Sequence, residues 1–407
     1  MRHKLYVVGL GPGERKFLTP AVEEVMESAA CLIIARRHLS LAKAHPDVVL
    51  MANLDATLAV IEERLQKGSV AVAVSGDTGV FSYLRRLKER FSKEAIEVIP
   101  GISALQFLCA AVGETWENAV ILSLHGRDVA PSKITGTAAC NGKSIFFCGP
   151  DRDPSWLCRI LSSSGLDSLD IVIGERMSYP DERVVRGSPS ELCVQEFDPL
   201  SVVLVLNADP LPLLGLRPRD ADFLRAEGIP MTREEVRTLV LDKMELRPDS
   251  VVWDIGAGTG SIAVSCALAA PYGEVHAVER LPRACELIEA NKVRFRLPNL
   301  HVHRGDAAEL LDALPAPACV FIGGSGGRLR MMLEYVRKWE KVRIVVSGVT
   351  LETVCDASAV MNGSGFHDFD VLQLAVARGK NVGSSTIMAA QNPVTLLCAR
   401  TGEEKIS

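Results

Sequence analysis

Val251-Val252-Trp253-Asp254-Ile255-Gly256-Ala257-Gly258-Thr259-Gly260 reads as a buried strand breaking into a glycine turn, and Ser261 to Ala270 continues it as a helix of small residues. Strand, glycine turn and helix in that order open a nucleotide-binding βαβ unit, so the second half of the chain is expected to be an α/β domain with a ligand at a strand end. The glycines stand as G-x-G-x-G, with Asp254 two residues before the first, and Ser261 sits where a dinucleotide fingerprint has its third glycine. No diphosphate then has to rest on the helix N-terminus, which favours S-adenosylmethionine (SAM) over NAD; a ligand-free structural turn is the other alternative. Asp254, Gly256, Gly258 and Gly260 are the candidate cofactor residues, Asp254 lying near a cationic or amino group.

The neighbouring strands extend this reading. Glu274 to Val278 ends in Glu279, about 20 residues past the turn, where a carboxylate accepts from ribose hydroxyls. A solvated residue at a helix start is the plain alternative. Asp306 closes a third strand after His301-Val302-His303-Arg304-Gly305, either as acceptor for an adenine amino group or as the N-cap of Ala307 to Leu311. Cys319 to Ile322 opens into Gly323-Gly324-Ser325-Gly326-Gly327. Gly323 is assigned to the cofactor, while Gly324, Ser325 and Gly326 leave room for a bulky substrate. Upstream, Gly228-Ile229-Pro230-Met231-Thr232-Arg233-Glu234-Glu235-Val236-Arg237 holds a capping box, Thr232 with Glu235. Thr232 is either that cap alone or part of a segment lying over the cofactor cleft.

The first half also alternates β-branched runs with amphipathic stretches, the pattern of βαβ units around a largely parallel sheet. Its strand candidates are Tyr6 to Gly9, Cys31 to Ala35, Val70 to Val74, Glu97 to Ile99, Val120 to Leu122, Ser144 to Phe147, Asp170 to Ile173 and Val202 to Leu206. Thr19-Pro20 starts the first helix. Three strand ends carry glycine turns: Gly9-Leu10-Gly11-Pro12-Gly13, Gly76-Asp77-Thr78-Gly79 and Gly101-Ile102-Ser103-Ala104. Open α/β sheets bind ligands at that edge. Asn207 to Arg219, with three prolines and a glycine, is the linker expected between the halves.

Composition narrows the function. The chain has 407 residues, 48% hydrophobic and 23% charged, which fits two globular domains and excludes disorder or a fibre. The net charge of −5 divides into about −4 and −1 for the two halves, so neither offers the positive field of a nucleic-acid binder. Apolar runs fall short of the roughly 18 residues a membrane span needs. Gly9 to Gly13 interrupts the N-terminal apolar run too early for a signal peptide, and the run reads as a first strand. The 11 cysteines form no Cys-x-x-Cys pair and no metal-ligand spacing, so reduced thiols in a cytoplasmic protein and no metal are expected.

The three glycine segments of the first half resemble the tetrapyrrole methylase family. Gly174-Glu175-Arg176-Met177-Ser178-Tyr179-Pro180-Asp181-Glu182 and Ser123-Leu124-His125-Gly126-Arg127 look like its branch that methylates precorrin at C-5. The second half resembles the Rossmann-type SAM methyltransferase that partners that branch, through G-I-P-M-T-R-E-E-V-R, D-I-G-A-G-T-G-S and F-I-G-G-S-G-G. Thr78, where many of the family have proline, and Arg176-Met177-Ser178 are departures.

The resemblance implies a tetrapyrrole methylase fold of two α/β subdomains over residues 1–208 and a Rossmann-like methyltransferase fold over 214–407. It also implies a SAM site in each. The first would lie among Gly11, Pro12, Gly76, Asp77, Gly79, Ser103 and Ala104. The implied reaction belongs to cobalamin synthesis: methylation of precorrin-6Y, or its cobalt form, at C-5 and C-15 with loss of the ring C acetate carboxyl. The chemistry needs alignment and water exclusion rather than a dedicated nucleophile, and the sequence singles out no catalytic residue.

A precorrin carries many carboxylates, for which Arg127 and Arg176 are the candidate partners, with surface solvation as the alternative. His125 is a loop hydrogen-bond partner or a proton acceptor, and Tyr179 completes the substrate-binding set. A homo-oligomer, dimer or tetramer, is expected, with no nucleic-acid or membrane partner. A SAM-dependent RNA methyltransferase and another tetrapyrrole methylase are the rival functions.

Overall fold

The computed structural model describes residues 3–42, 45–211 and 217–403. The expected second-domain start at residue 214 and part of the expected linker lie outside these. The chain divides into two compact units, one of Met1–Asp128, Gly142–Ser162 and Asp167–Ala208, the other of Val129–Asn141, Ser163–Leu166 and Asp209–Ser407.

The first unit holds two sheets. Strands β1 (Leu5–Gly9), β2 (Cys31–Ile34), β3 (Val48–Leu50), β4 (Val70–Val74) and β5 (Ile96–Ile99) lie in the order β3-β2-β4-β1-β5, all parallel. Every residue of β2 and β4 is buried, as in a parallel sheet covered on both faces. The helix Pro20–Ser28 starts as its sequence requires: the Thr19 hydroxyl accepts from the Val22 N–H at 3.3 Å, and proline needs no partner at the first position.

Strands β6 (Val120–Ser123), β7 (Lys143–Phe147), β8 (Asp170–Glu175), β9 (Arg183–Gly187) and β10 (Ser201–Leu206) form the second sheet, in the order β6-β7-β10-β8-β9. Here only β6 and β7 run parallel. The expectation of a largely parallel arrangement therefore holds for the first sheet and not for the second. The Arg176 to Glu182 connection is too short for a crossover and returns as a hairpin.

The second unit is built on β11 (Val251–Ile255), β12 (Glu274–Glu279), β13 (Leu300–Arg304), β14 (Cys319–Ile322), β15 (Arg343–Gly348), β16 (Phe366–Leu374), β17 (Ala377–Val382), β18 (Ser385–Ala390) and β19 (Val394–Thr401). Seven of these make one sheet, β13-β12-β11-β14-β15-β19-β16, in which β19 pairs antiparallel with both β15 and β16; β17 and β18 form a separate hairpin. Side chains alternate across β11: Val252 joins a core with Ile262, Val264 and Ile288, and Trp253 joins the opposite core with Val320 and Leu333. The buried indole is satisfied, Trp253 Nε1–H donating to the Pro315 carbonyl at 3.1 Å. Among the described residues no helix is long and apolar enough to cross a membrane, no cluster of residues can hold a metal ion, and all the cysteines are free.

Three loops meet at the carboxyl edge of the first sheet. Gly11 N–H donates to Gly76 O at 3.2 Å and Gly76 N–H to Gly11 O at 2.8 Å. Asp77 joins the remaining turn, its carboxylate accepting from Gly79 N–H at 2.7 Å and Gly101 N–H at 3.2 Å. A Cβ on Gly101 would lie 2.5 Å from the carbonyl oxygens of both Gly9 and Gly76. Gly101→Ala is expected to cost the first unit at least about 2 kcal/mol in urea unfolding. Gly113→Ala, at a left-handed helix end with nothing within 4 Å, should cost only about 1 kcal/mol. Equal losses at the two positions would contradict the close contact.

Candidate active site

In the second unit the residues singled out by the sequence converge on the carboxyl edge of β11, β12 and β14. Gly256, Gly258 and Gly260 all have left-handed backbone, with φ of 72°, 56° and 76°. Each also has protein where a Cβ would go: Gly324 O at 2.3 Å, Pro230 O at 2.7 Å and the Ile288 side chain at 2.9 Å. The turn thus needs glycine for its own packing, before any ligand approaches. Glu279 is buried and accepts three main-chain hydrogen bonds, Oε2 from Gly258 at 3.0 Å and Oε1 from Arg280 and Leu281 at 2.8 and 3.0 Å. It fastens the turn to the end of β12. Four lone-pair sites on a carboxylate leave capacity for a hydroxyl donor.

Asp254 is the unusual group. It is fully buried, neither carboxylate oxygen has a hydrogen-bond partner of good geometry, and burial, opposed by the nearby Ala263 main chain and helped by the Glu279 charge, pushes it up to about 7. Such an orphan directly beneath a glycine turn fits a cationic ligand group. Asp306 is the N-cap of Ala307–Leu310, accepting from Ala308 N–H at 3.0 Å, and pairs with Arg328 at 2.5 Å. Gly323 is closed by the Phe321 ring at 2.8 Å. A Cβ on Gly324, by contrast, meets nothing nearer than Gly256 at 3.8 Å, and Gly326 lies 3.4 Å from the Arg280 guanidinium on the same measure. Ser325 accepts at its carbonyl from Arg328 N–H at 3.1 Å in the same loop.

The capping box does not form as expected. The helix Glu234–Met244 has Arg233, not Thr232, at its N-cap, with no side-chain cap bond; the Thr232 carbonyl is used instead. That carbonyl accepts from Ser261 Oγ at 3.3 Å and from Arg237 Nη1 at 2.8 Å. Pro230 O accepts from Thr259 N–H at 3.2 Å. The segment is bound to the glycine turn through its main chain.

In the first unit, Gly11, Pro12, Gly76, Asp77 and Gly79 lie in the loops described above. Ser103 is buried ahead of the helix Ala104–Val112, and its N–H donates to Gln106 Oε1 at 2.8 Å. Tyr179 reaches the same edge: a Cβ on Gly13 would lie 2.3 Å from its ring. Arg176 stacks 5.0 Å above the Tyr179 ring and is neutralised by Asp181 at 2.7 Å and Asp198 at 3.6 Å. Arg127 is exposed and lies 5.0 Å over Phe81. His125 is exposed and abuts Gly149, where a Cβ would lie 2.6 Å from Nδ1. Glu175 serves structure, bonding Arg183 and the Asp198 N–H.

Two positioning residues escaped the sequence reading. Arg237 is 2% exposed and grips Thr232 O, Asp220 and Pro218 O. Asn291, wholly buried, donates to Leu224 O at 3.1 Å and Thr259 O at 3.0 Å. Their signal was a polar residue at an apolar helical position: Arg237 beside Val236 and Val240, Asn291 after Ala284 and Ile288.

Both halves of the chain resemble known proteins. A family described as tetrapyrrole (corrin/porphyrin) methylases matches residues 4–193, and one described as precorrin methyltransferase domain matches 223–401. A Pyrobaculum calidifontis protein named probable cobalt-precorrin-6B C(15)-methyltransferase (decarboxylating) is 40% identical over 183 residues, 44% of this chain and 93% of its own. The chain belongs to the precorrin methyltransferase family. A second such methyltransferase, cobalt-precorrin-6B C(15)-methyltransferase (decarboxylating) of Salmonella typhimurium, is 33% identical over 46% of this chain and 98% of its own. A Sinorhizobium protein named precorrin-6Y C(5,15)-methyltransferase [decarboxylating] is 28% identical over 96% of this chain and 95% of its own.

Asp254 gives this precorrin methyltransferase a pH signature. Its folded value, about 7, lies above the ordinary 3.8, so the cost of the buried charge is absent below about pH 4 and complete above about pH 7. Relative to Asp254→Asn, the wild-type second unit should lose stability across that window, by up to roughly 4 kcal/mol. Unfolding of both proteins between pH 4 and 8 checks this; a constant difference would mean that Asp254 stays charged throughout.

Proposed function

We propose that the chain transfers methyl groups from SAM to C-5 and C-15 of precorrin-6Y, or of its cobalt form, and removes the ring C acetate carboxyl, in cobalamin biosynthesis. Residues 1–208 act at C-5 and residues 214–407 act at C-15 and in decarboxylation, each with its own SAM site. The observation that carries this reading is two sets of strand-end glycine loops, one in each unit, each closed by its own main-chain contacts. Relatives spanning the second half alone and bearing a C(15) name support the division. The enzyme works in the cytoplasm as a homo-oligomer, with neither nucleic acid nor membrane as a partner.

SAM, when bound, supplies a methyl group already activated on a sulfonium. The chain has to align it with a nucleophilic ring carbon and keep water out. In the first half Asp77 holds two loops in place, and the main chain around Gly11, Pro12, Gly76, Gly79, Ser103 and Ala104 binds the cofactor. In the second half Asp254 accepts from the cationic end, and Glu279 uses its remaining lone pairs for ribose hydroxyls. Asp306, held as a helix cap and by Arg328, stays at the edge of the adenine position. The open ground at Gly324, Ser325 and Gly326 takes the macrocycle. The carboxylate bond breaks as the ring accepts its electron pair, and the carbon left behind is then protonated.

Two substitutions separate the roles. At both positions the nearest other atom is 3.8 Å from the new Cβ, Gly256 O for Gly324→Val and Ser103 Cα for Gly76→Val, the latter at a φ of 67°. With both variants folded by circular dichroism, Gly324→Val should lose C-15 methylation and carbon dioxide release yet keep C-5 methylation. Gly76→Val should do the reverse. Product masses from labelled SAM decide it: a Gly324 variant that still decarboxylates, or either variant losing both transfers, contradicts the division.

A further inference from the structure

A cluster outside the glycine loops remains unused. Ser75 directly follows β4, and Arg37 and His38 lie just past β2, the neighbouring strand, so the three residues meet at the carboxyl edge of the first sheet. Arg37 Nη2 donates to Ser75 Oγ at 2.6 Å and its Nε donates to His38 Nε2 at 3.1 Å. Ser75 Oγ also lies 2.6 Å from His38 Nε2. A guanidinium can only donate, so Nε2 carries a lone pair and the ring proton is on Nδ1, which is buried without a partner. His38 is 1% exposed, and burial together with the Arg37 charge pushes it down to about 4. At neutral pH it is an uncharged acceptor and a rigid brace.

Arg37 itself is exposed, and both of its hydrogen bonds go to neutral groups. Arg176, the candidate singled out in the sequence, already has Asp181 and Asp198. Nη1 of Arg37 keeps both hydrogens and Nη2 keeps one, so the end-on fork, one N–H from each terminal nitrogen, is open to a carboxylate. Ordering a long exposed side chain costs conformational entropy, and here His38 and Ser75 have already met that cost.

We infer that Arg37, braced by His38 and Ser75, binds a side-chain carboxylate of the tetrapyrrole substrate beside the first-half methyl-transfer site. Arg37 touches substrate; His38 and Ser75 are positioning residues. The inference rests on the proposed tetrapyrrole reaction.

The test uses the full chain with precorrin-6Y or its cobalt form. Arg37→Met should raise KM for C-5 methylation about ten-fold or more, the loss expected for a charge-assisted pair, with C-15 methylation unchanged. Arg37→Lys, which keeps the charge but not the fork, should give a smaller rise, and it decides the matter if Arg37→Met does not fold. Ser75→Ala should raise KM a few-fold at unchanged kcat. Wild-type KM in the arginine variants, in an enzyme that methylates C-5, overturns the carboxylate site alone. A wild-type enzyme that methylates C-5 of neither substrate form overturns the functional reading and this inference with it.

Discussion

In each half of the chain, loops at the ends of neighbouring strands approach so closely that no Cβ atom fits between them. Gly101 is wedged between the carbonyls of Gly9 and Gly76, and Gly256 passes against the main chain of Gly324. Backbone packed on backbone leaves main-chain groups at the rim and removes the side chains that would fill the cleft. The remaining fixtures follow from holding those loops still. Asp77 and Glu279 each spend carboxylate oxygens on loop N–H groups, and Arg237 and Asn291 secure the segments behind the second turn.

Buried charge is the counterpart of that rigidity. Glu279 is buried but well supplied with donors, whereas Asp254, under the same turn, has only the Ala263 main chain nearby and no hydrogen bond of good geometry. An unpaired buried carboxylate is costly in a protein that only has to fold, and useful in one that must meet a cation. The cations of the first unit divide similarly. Arg176 is consumed by two carboxylates, while Arg127 lies over an aromatic ring and Arg37 is held by neutral groups.

Much of this was visible in the sequence because the strands that position the site are buried on both faces. Runs such as Val70 to Val74 and Val251 to Ile255 show up as apolar segments ending in glycine, and the structure has strands at both. Edge elements were harder to see: β3 is apolar but only three residues long, β9 carries no buried residue, and β17 is exposed along its whole length. The mixed direction of the second sheet depended on how short the Arg176 to Glu182 connection is. At the site, sequence spacing located the turns but not their partners. Thr232 looked like a helix cap, yet the cap position falls on Arg233, and the Thr232 carbonyl is held by Arg237 and Ser261, contacts that exist only once the chain has folded.

The central claim is that one chain carries two independent methyl-donor sites built by different loops. Calorimetric titration of the intact chain with SAM, without tetrapyrrole, tests it most directly. Two SAM molecules bound per chain is the result this account predicts. A single molecule bound per folded chain, at concentrations that saturate further uptake, would contradict it.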